Sequence, residues 1–166
     1  MTETKTDHAR DQAKCQLESI TAMMKRLDHS RDCEGEAHGC SLTDAEIHDG
    51  LGLSHSEGDK ATDEERTEYH DQEAAKQRIW EDPLELSIRD DWHAPNEGGE
   101  AIDYLILLCT GGPAVRIIGE LDKWTEPETA RLEYQDWFTP WENYPLDAQE
   151  EETLLNYARQ FYFGEG

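Results

Sequence analysis

Positive charge is scarce in this chain: 15 Lys and Arg stand against 39 Asp and Glu, a formal net charge of −24 over 166 residues. A surface so unbalanced repels phosphate, which argues against direct binding to nucleic acid or to an anionic membrane. Long apolar runs are missing as well. The longest, Tyr104–Cys109, falls far short of the ~18–20 residues a membrane-spanning helix needs. The opening segment MTETKTDHARDQ has no hydrophobic stretch, which predicts no signal peptide and a cytoplasmic protein. Only four cysteines occur (Cys15, Cys33, Cys40 and Cys109), and in that compartment they are expected as reduced thiols.

Catalytic signatures are absent too. Gly111-Gly112 precedes Pro113 and a strand pattern rather than a helix N-terminus, so it is no phosphate loop. Cys109 would need a base to act as a nucleophile, yet His93 is the only histidine after His70. Burial in a central strand is the better account of that thiol. With 39 carboxylates present, finding an acid–base pair carries no information. The expectation is a binding protein and not an enzyme.

What is present is a chain that changes period half-way. Residues 9–28 carry Leu17, Ile20, Met23, Met24 and Leu27 at helical spacing, a stripe that packs on the main body or pairs two copies in a homodimer. Residues 29–60 form a loop-rich stretch interrupted by a short helix at Thr43–Leu51. A helix then starts at Thr62, with Glu65 completing a capping box and Pro83 closing it. Beyond Pro83 the period becomes two: Leu84, Leu86 and Ile88 alternate with polar residues, DYLILLCT reads as a strand covered on both faces, and AVRIIGEL and TARLEY follow in alternation. Asp147 and Glu150 cap a last helix to about Phe163, with a seam of Leu154, Ala158 and Phe161 widened by Leu155 and Tyr162. The predicted class is α+β: N-terminal helices followed by a four-stranded, mainly antiparallel sheet packed with a C-terminal helix. The domains divide as 1–80, acidic and mainly helical, and 81–166, α+β.

Three groups of residues bear on function. Between Asp63 and Glu73 the acids Asp63, Glu64, Glu65, Glu68, Asp71 and Glu73 face one base, Arg66, a net −5 over eleven residues. As a helix this gives one net charge per ~3 Å, close to the ~3.4 Å phosphate spacing of one DNA strand. Acids recur in the second half, at Glu126, Glu128, Glu150 and Glu151 among others, so charge is spread over a folding sequence and not confined to a tail. A solvated surface or a phosphate-backbone mimic for a basic partner both fit that pattern.

The second group is Cys33-x4-His38-x-Cys40, with His29 upstream. Zinc takes four such ligands in a tetrahedron, and a segment this poor in apolar residues gains most from a metal staple. The spacing lacks a Cys-x2-Cys knuckle, so ordinary loop residues are the competing account. Zinc is the one cofactor these residues suggest. The third group is Trp137-Phe138-Thr139-Pro140-Trp141 with Tyr144, where Trp137 and Trp141 are anchors for a partner if exposed. Burial between sheet and final helix is the expectation for most of these rings.

The segments CTGGPAVRIIGEL, ARLEYQDWFTPW and LLNYARQFYFGE resemble a family of small proteins carried by bacterial phages and plasmids, over roughly Leu84–Glu165. The resemblance implies a mobile-element origin. Joined to the dispersed charge, it predicts an inhibitor of a bacterial defence system, anti-CRISPR or antirestriction, acting as an acidic DNA mimic on a basic nucleic-acid-binding protein or surveillance complex. The alternative is a metal-stapled protein–protein interaction module.

Overall fold

The apolar stripe of the N-terminal segment lengthens into one helix, α1 (Lys5–Asp32), in which Ala9, Ala13, Leu17, Ile20, Met23, Met24 and Leu27 are all buried. The computed structural model describes residues 5–33 and 40–164. Two compact units result: a helical unit, Glu18–Glu81, and a sheet unit, Met1–Leu17 with Asp82–Gly166. The stripe is thus consumed inside the chain, which removes it as a seam between two copies.

In the helical unit, α1 is followed by α2 (Asp44–Leu51), α3 (Asp63–Tyr69) and α4 (Gln72–Glu81). Capping boxes start α2 at Thr43/Glu46 and α3 at Thr62/Glu65. The single helix expected from Thr62 to Pro83 is broken at His70. Asp71 accepts the Ala74 amide at 3.1 Å and so starts a new helix, a capping signal that the acidic run conceals. Ile47, Leu51 and Tyr69 form the local core, with Leu42 and Ala61 packed against it. Arg26 is buried and donates to the Glu68 and Tyr69 carbonyls at 2.7 and 3.3 Å, satisfying the C-terminal end of α3 from the side of α1.

The sheet unit is a five-stranded antiparallel meander in chain order: β1 (Glu85–Asp90), β2 (Ala101–Cys109), β3 (Pro113–Glu120), β4 (Arg131–Asp136) and β5 (Glu142–Tyr144). Four strands were expected; the fifth, three residues between Pro140 and Pro145, is too short to show alternation. Tyr104 and Ile106 pair with Gly119 and Ile117, and Ile117 pairs with Leu132, so the buried rows line one face. There α5 (Ala148–Ala158) contributes Leu154, Tyr157 and Ala158, and Phe163 stacks on Tyr104 at 5.0 Å. Cys109 is half-buried with Gln12 and Gln16 of α1 bonded to it, and burial raises its pKa, as suits a structural thiol. Gly119 is required: a Cβ there would meet the Thr129 carbonyl, which the Tyr104 hydroxyl holds at 2.6 Å.

Three expectations need correction. β2 is not covered on both faces: Asp103, Leu105 and Leu107 are only half-buried, whereas Tyr104, Ile106 and Leu108 are buried. The last helix ends at Ala158, not Phe163, and Tyr162 is exposed. Trp137 and Phe138 project outward, 56% and 99% exposed, while Trp141 is half-buried with Arg116 stacked over it at 3.9 Å.

Candidate metal centre

Four side chains from three places in the helical unit converge on one point. His29 and Cys33 lie one turn apart at the end of α1, where the Cys33 amide bonds the His29 carbonyl at 2.9 Å, so both face the same way. Cys40 enters from the segment before α2, and His70 from the break between α3 and α4. Their ligand atoms all lie within 4.8 Å of one another. His29 Nε2 is 3.1 Å from His70 Nε2 and 3.1 Å from Cys40 Sγ. Bond lengths of about 2.0 Å to nitrogen and 2.3 Å to sulfur in a tetrahedron imply edges of roughly 3.3–3.8 Å. The cluster needs only small side-chain adjustments to reach that geometry.

The surroundings favour ligation. His70 Nδ1 donates to the Arg66 carbonyl at 2.7 Å, which places its proton on Nδ1 and leaves the Nε2 lone pair facing the cluster. Burial first, and the adjacent His70 second, push His29 below the ordinary imidazole pKa and favour its neutral, ligating form. The rings of Tyr69 and His70 meet His29 edge-on at 5.7 and 4.9 Å and restrict its rotation. Among the described residues no cysteine is in a disulfide, and two thiolates would neutralise a divalent cation held beside two neutral imidazoles. This cluster could hold a metal ion. The buried Arg26 positions His70 indirectly, through the carbonyls of the two residues before it.

Of the ligands expected from sequence, His29, Cys33 and Cys40 come together, and His38 lies outside the described residues. His70 was not foreseen. It stands 30 positions from Cys40 in sequence, roughly, and only the helix break brings it in. Its one local signal is the cap residue Asp71 directly after it.

The acids named above are distributed over both units. Asp63, Glu64 and Glu68 are exposed on α3, whereas Glu65 turns back to the Thr62 amide at 2.8 Å and lies 3.2 Å from His48. With Asp71 capping α4, the run is divided between two short helices and does not follow one axis. In the sheet unit Glu126, Glu128 and Glu151 are exposed, and Glu150 closes the capping box of α5 with Asp147. Among the described residues no helix is long and apolar enough to cross a membrane.

No family model, no curated protein and no solved structure matches this chain.

One electrostatic consequence of this unit is directly measurable. Glu46 accepts the Thr43 amide at 2.8 Å and the Lys25 ammonium at 3.0 Å, which together lower its pKa from 4.5 to about 2. A carboxylate whose folded pKa is depressed stabilises fully above its unfolded value and loses that contribution as pH falls toward the folded one. Glu46→Gln should therefore melt below the parent protein at neutral pH, the gap closing between pH 4.5 and about 2. Thermal melts across that interval test this, and a gap that ignores pH contradicts it.

Proposed function

We propose that this chain is a zinc-stapled protein–protein interaction module. Zinc is held by His29, Cys33, Cys40 and His70, and the convergence of those four ligands carries the reading. Two sulfur and two nitrogen donors suit zinc better than calcium or magnesium, which take oxygen. With four protein ligands no coordination position stays open for substrate, so the metal is structural and the module binds without catalysing.

The proposed partner is a basic, nucleic-acid-binding bacterial protein, with the chain acting as an acidic mimic in the manner of an anti-CRISPR or antirestriction protein of a phage or plasmid. Support comes from the net charge of −24 and from the exposed acids of α3. The projecting pair Trp137 and Phe138 adds an apolar anchor on the sheet unit. Phe138 holds a left-handed backbone (φ 64°), a conformation that bulky residues rarely adopt and that occurs at binding loops.

Elemental analysis of the purified chain should find one zinc per molecule, lost in Cys33→Ser/Cys40→Ser and retained in His38→Ala. Metal-free protein, or equal loss in His38→Ala, removes the proposed site. For the partner, a lysate pull-down should recover a basic nuclease or surveillance complex that is released by salt and displaced by its target DNA. Recovery that ignores salt and DNA overturns the mimic reading and leaves the metal site standing.

A further inference from the structure

An antiparallel sheet that ends in an uncovered strand offers unpaired backbone groups to another strand. This sheet has two edges, and they differ. β5 is three residues long and flanked by Pro140 and Pro145, which blunt it. β1 is six residues long and contains no proline. Its apolar residues point to the same face as the core, since Leu86 pairs with Ile106 and Ile88 with Tyr104. Yet Leu84, Leu86 and Ile88 are 61%, 42% and 38% exposed, unlike the buried Ile106 and Tyr104 beside them on β2.

We propose that β1 pairs with β1 of a second copy, joining two sheets into one across a two-fold axis at Ser87. The sequence of the strand selects that occupant. With the axis at Ser87, Glu85 of each copy stands opposite Arg89 of the other, and Leu86 opposite Ile88, twice over. Shifting the axis to Leu86 sets Glu85 against Ser87, and shifting it to Ile88 sets Ser87 against Arg89, so neither neighbouring register makes an ion pair. Residues directly opposite in an antiparallel pair interact most strongly, and opposite charges there favour the register. Alternation keeps the two kinds of contact apart: the Glu85–Arg89 pairs lie on the open face, and Leu84, Leu86 and Ile88 of both copies form one apolar strip on the core face. The shift in register after Arg89 limits the pairing segment to Glu85–Arg89, the five residues symmetric about Ser87. Arg89 already bonds Asp103 across β2, which holds its guanidinium over the open face.

The charge of −24 on each copy opposes this association at long range. Salt therefore strengthens the dimer by screening that repulsion, opposite to its effect on a basic partner. Repulsion also limits the pairing to one specific register and restrains the indiscriminate edge-to-edge aggregation such a strand invites.

The test is sedimentation equilibrium of the full, metal-loaded chain over protein concentrations from ~1 μM to ~1 mM at low and high NaCl, beside hydrogen exchange of the β1 amides. The parent chain should shift from monomer to dimer with concentration, more readily in high salt, and β1 amides should gain protection as it does. Leu86→Lys should weaken association at least ~10-fold, as should Glu85→Arg, which sets like charges opposite each other. All these side chains are exposed, so each variant is expected to fold, and unchanged circular dichroism checks that. A chain monomeric throughout the range overturns the proposal. So does a dimer indifferent to Leu86→Lys or to Glu85→Arg.

Discussion

Removing the metal, or replacing Cys33 and Cys40 by serine, should unfold the helical unit while the sheet unit stays folded. The magnitudes favour so large an effect. A unit of about 60 residues commands only ~3–9 kcal/mol of stability, and this one must draw it from a small set of buried apolar side chains such as Ile20, Ile47, Tyr69 and Ile79. A structural zinc site of mixed Cys and His ligands contributes roughly 10–16 kcal/mol of apparent binding free energy at neutral pH. The cluster ties the end of α1, the segment before α2 and the end of α3 to one point. Without it those three strings of chain are held by the Arg26 bonds, the Lys25–Glu46 and Arg66–Asp44 pairs, and the cap of α2. The exposed Lys25–Glu46 pair contributes less than about 1 kcal/mol.

Hydrogen exchange with and without a chelator reads this directly. Amides of α2, α3 and α4 should lose protection, while those of β2 and β3 keep theirs. His70→Ala should behave like the cysteine variants, and His38→Ala like the parent chain. If exchange in Glu18–Glu81 is the same with and without chelator, the metal has no structural role there.

The second large effect belongs to the sheet unit and should be blind to metal. Ile117 is fully buried, opposite Ile106 on one side and Leu132 on the other, in the row beneath α5. Truncating it to alanine removes several methylenes from a site whose neighbours sit on hydrogen-bonded strands and cannot close the gap. The expected loss is about 2–5 kcal/mol. Ile118, one position on, faces the open side and is only half-buried, so Ile118→Ala should cost less than about 1.5 kcal/mol. Denaturant unfolding of the two variants settles the point, since comparable losses would mean that the open face is covered in solution. A covered face is also what the β1 pairing does not produce, because that pairing extends the sheet sideways.

Much of this architecture was legible in residue order. Period-two alternation located β1, β3 and β4 and sorted their faces, because each side chain is committed to one side of the pleat by its parity alone, while a continuous apolar run located β2 without separating its faces. The capping boxes at Thr62/Glu65 and Asp147/Glu150 marked two helix starts for an equally local reason: a side chain three residues away is the nearest group able to satisfy the free amide. Cys33, Cys40 and His29 stood out, with His38, as metal-seeking residues in a segment poor in apolar groups, and those three are members of the observed cluster.

What remained hidden depends on contacts between residues far apart in the chain. His70 joins the cluster because α3 ends against α1, with Arg26 gripping the last carbonyls of that helix. No spacing rule announces this. Trp137 and Phe138 are exposed, where a lean composition alone suggested burial. Residue order by itself determined the α+β class, the faces of β1, β3 and β4, the helix starts at Thr62 and Asp147 and the overwhelming negative charge, since each rests on local sterics, local hydrogen bonds or a simple sum. Only the tertiary structure decided which four side chains share a centre, where the acidic helix breaks and which strand stays open, because those depend on how distant segments compete to bury the same few apolar groups.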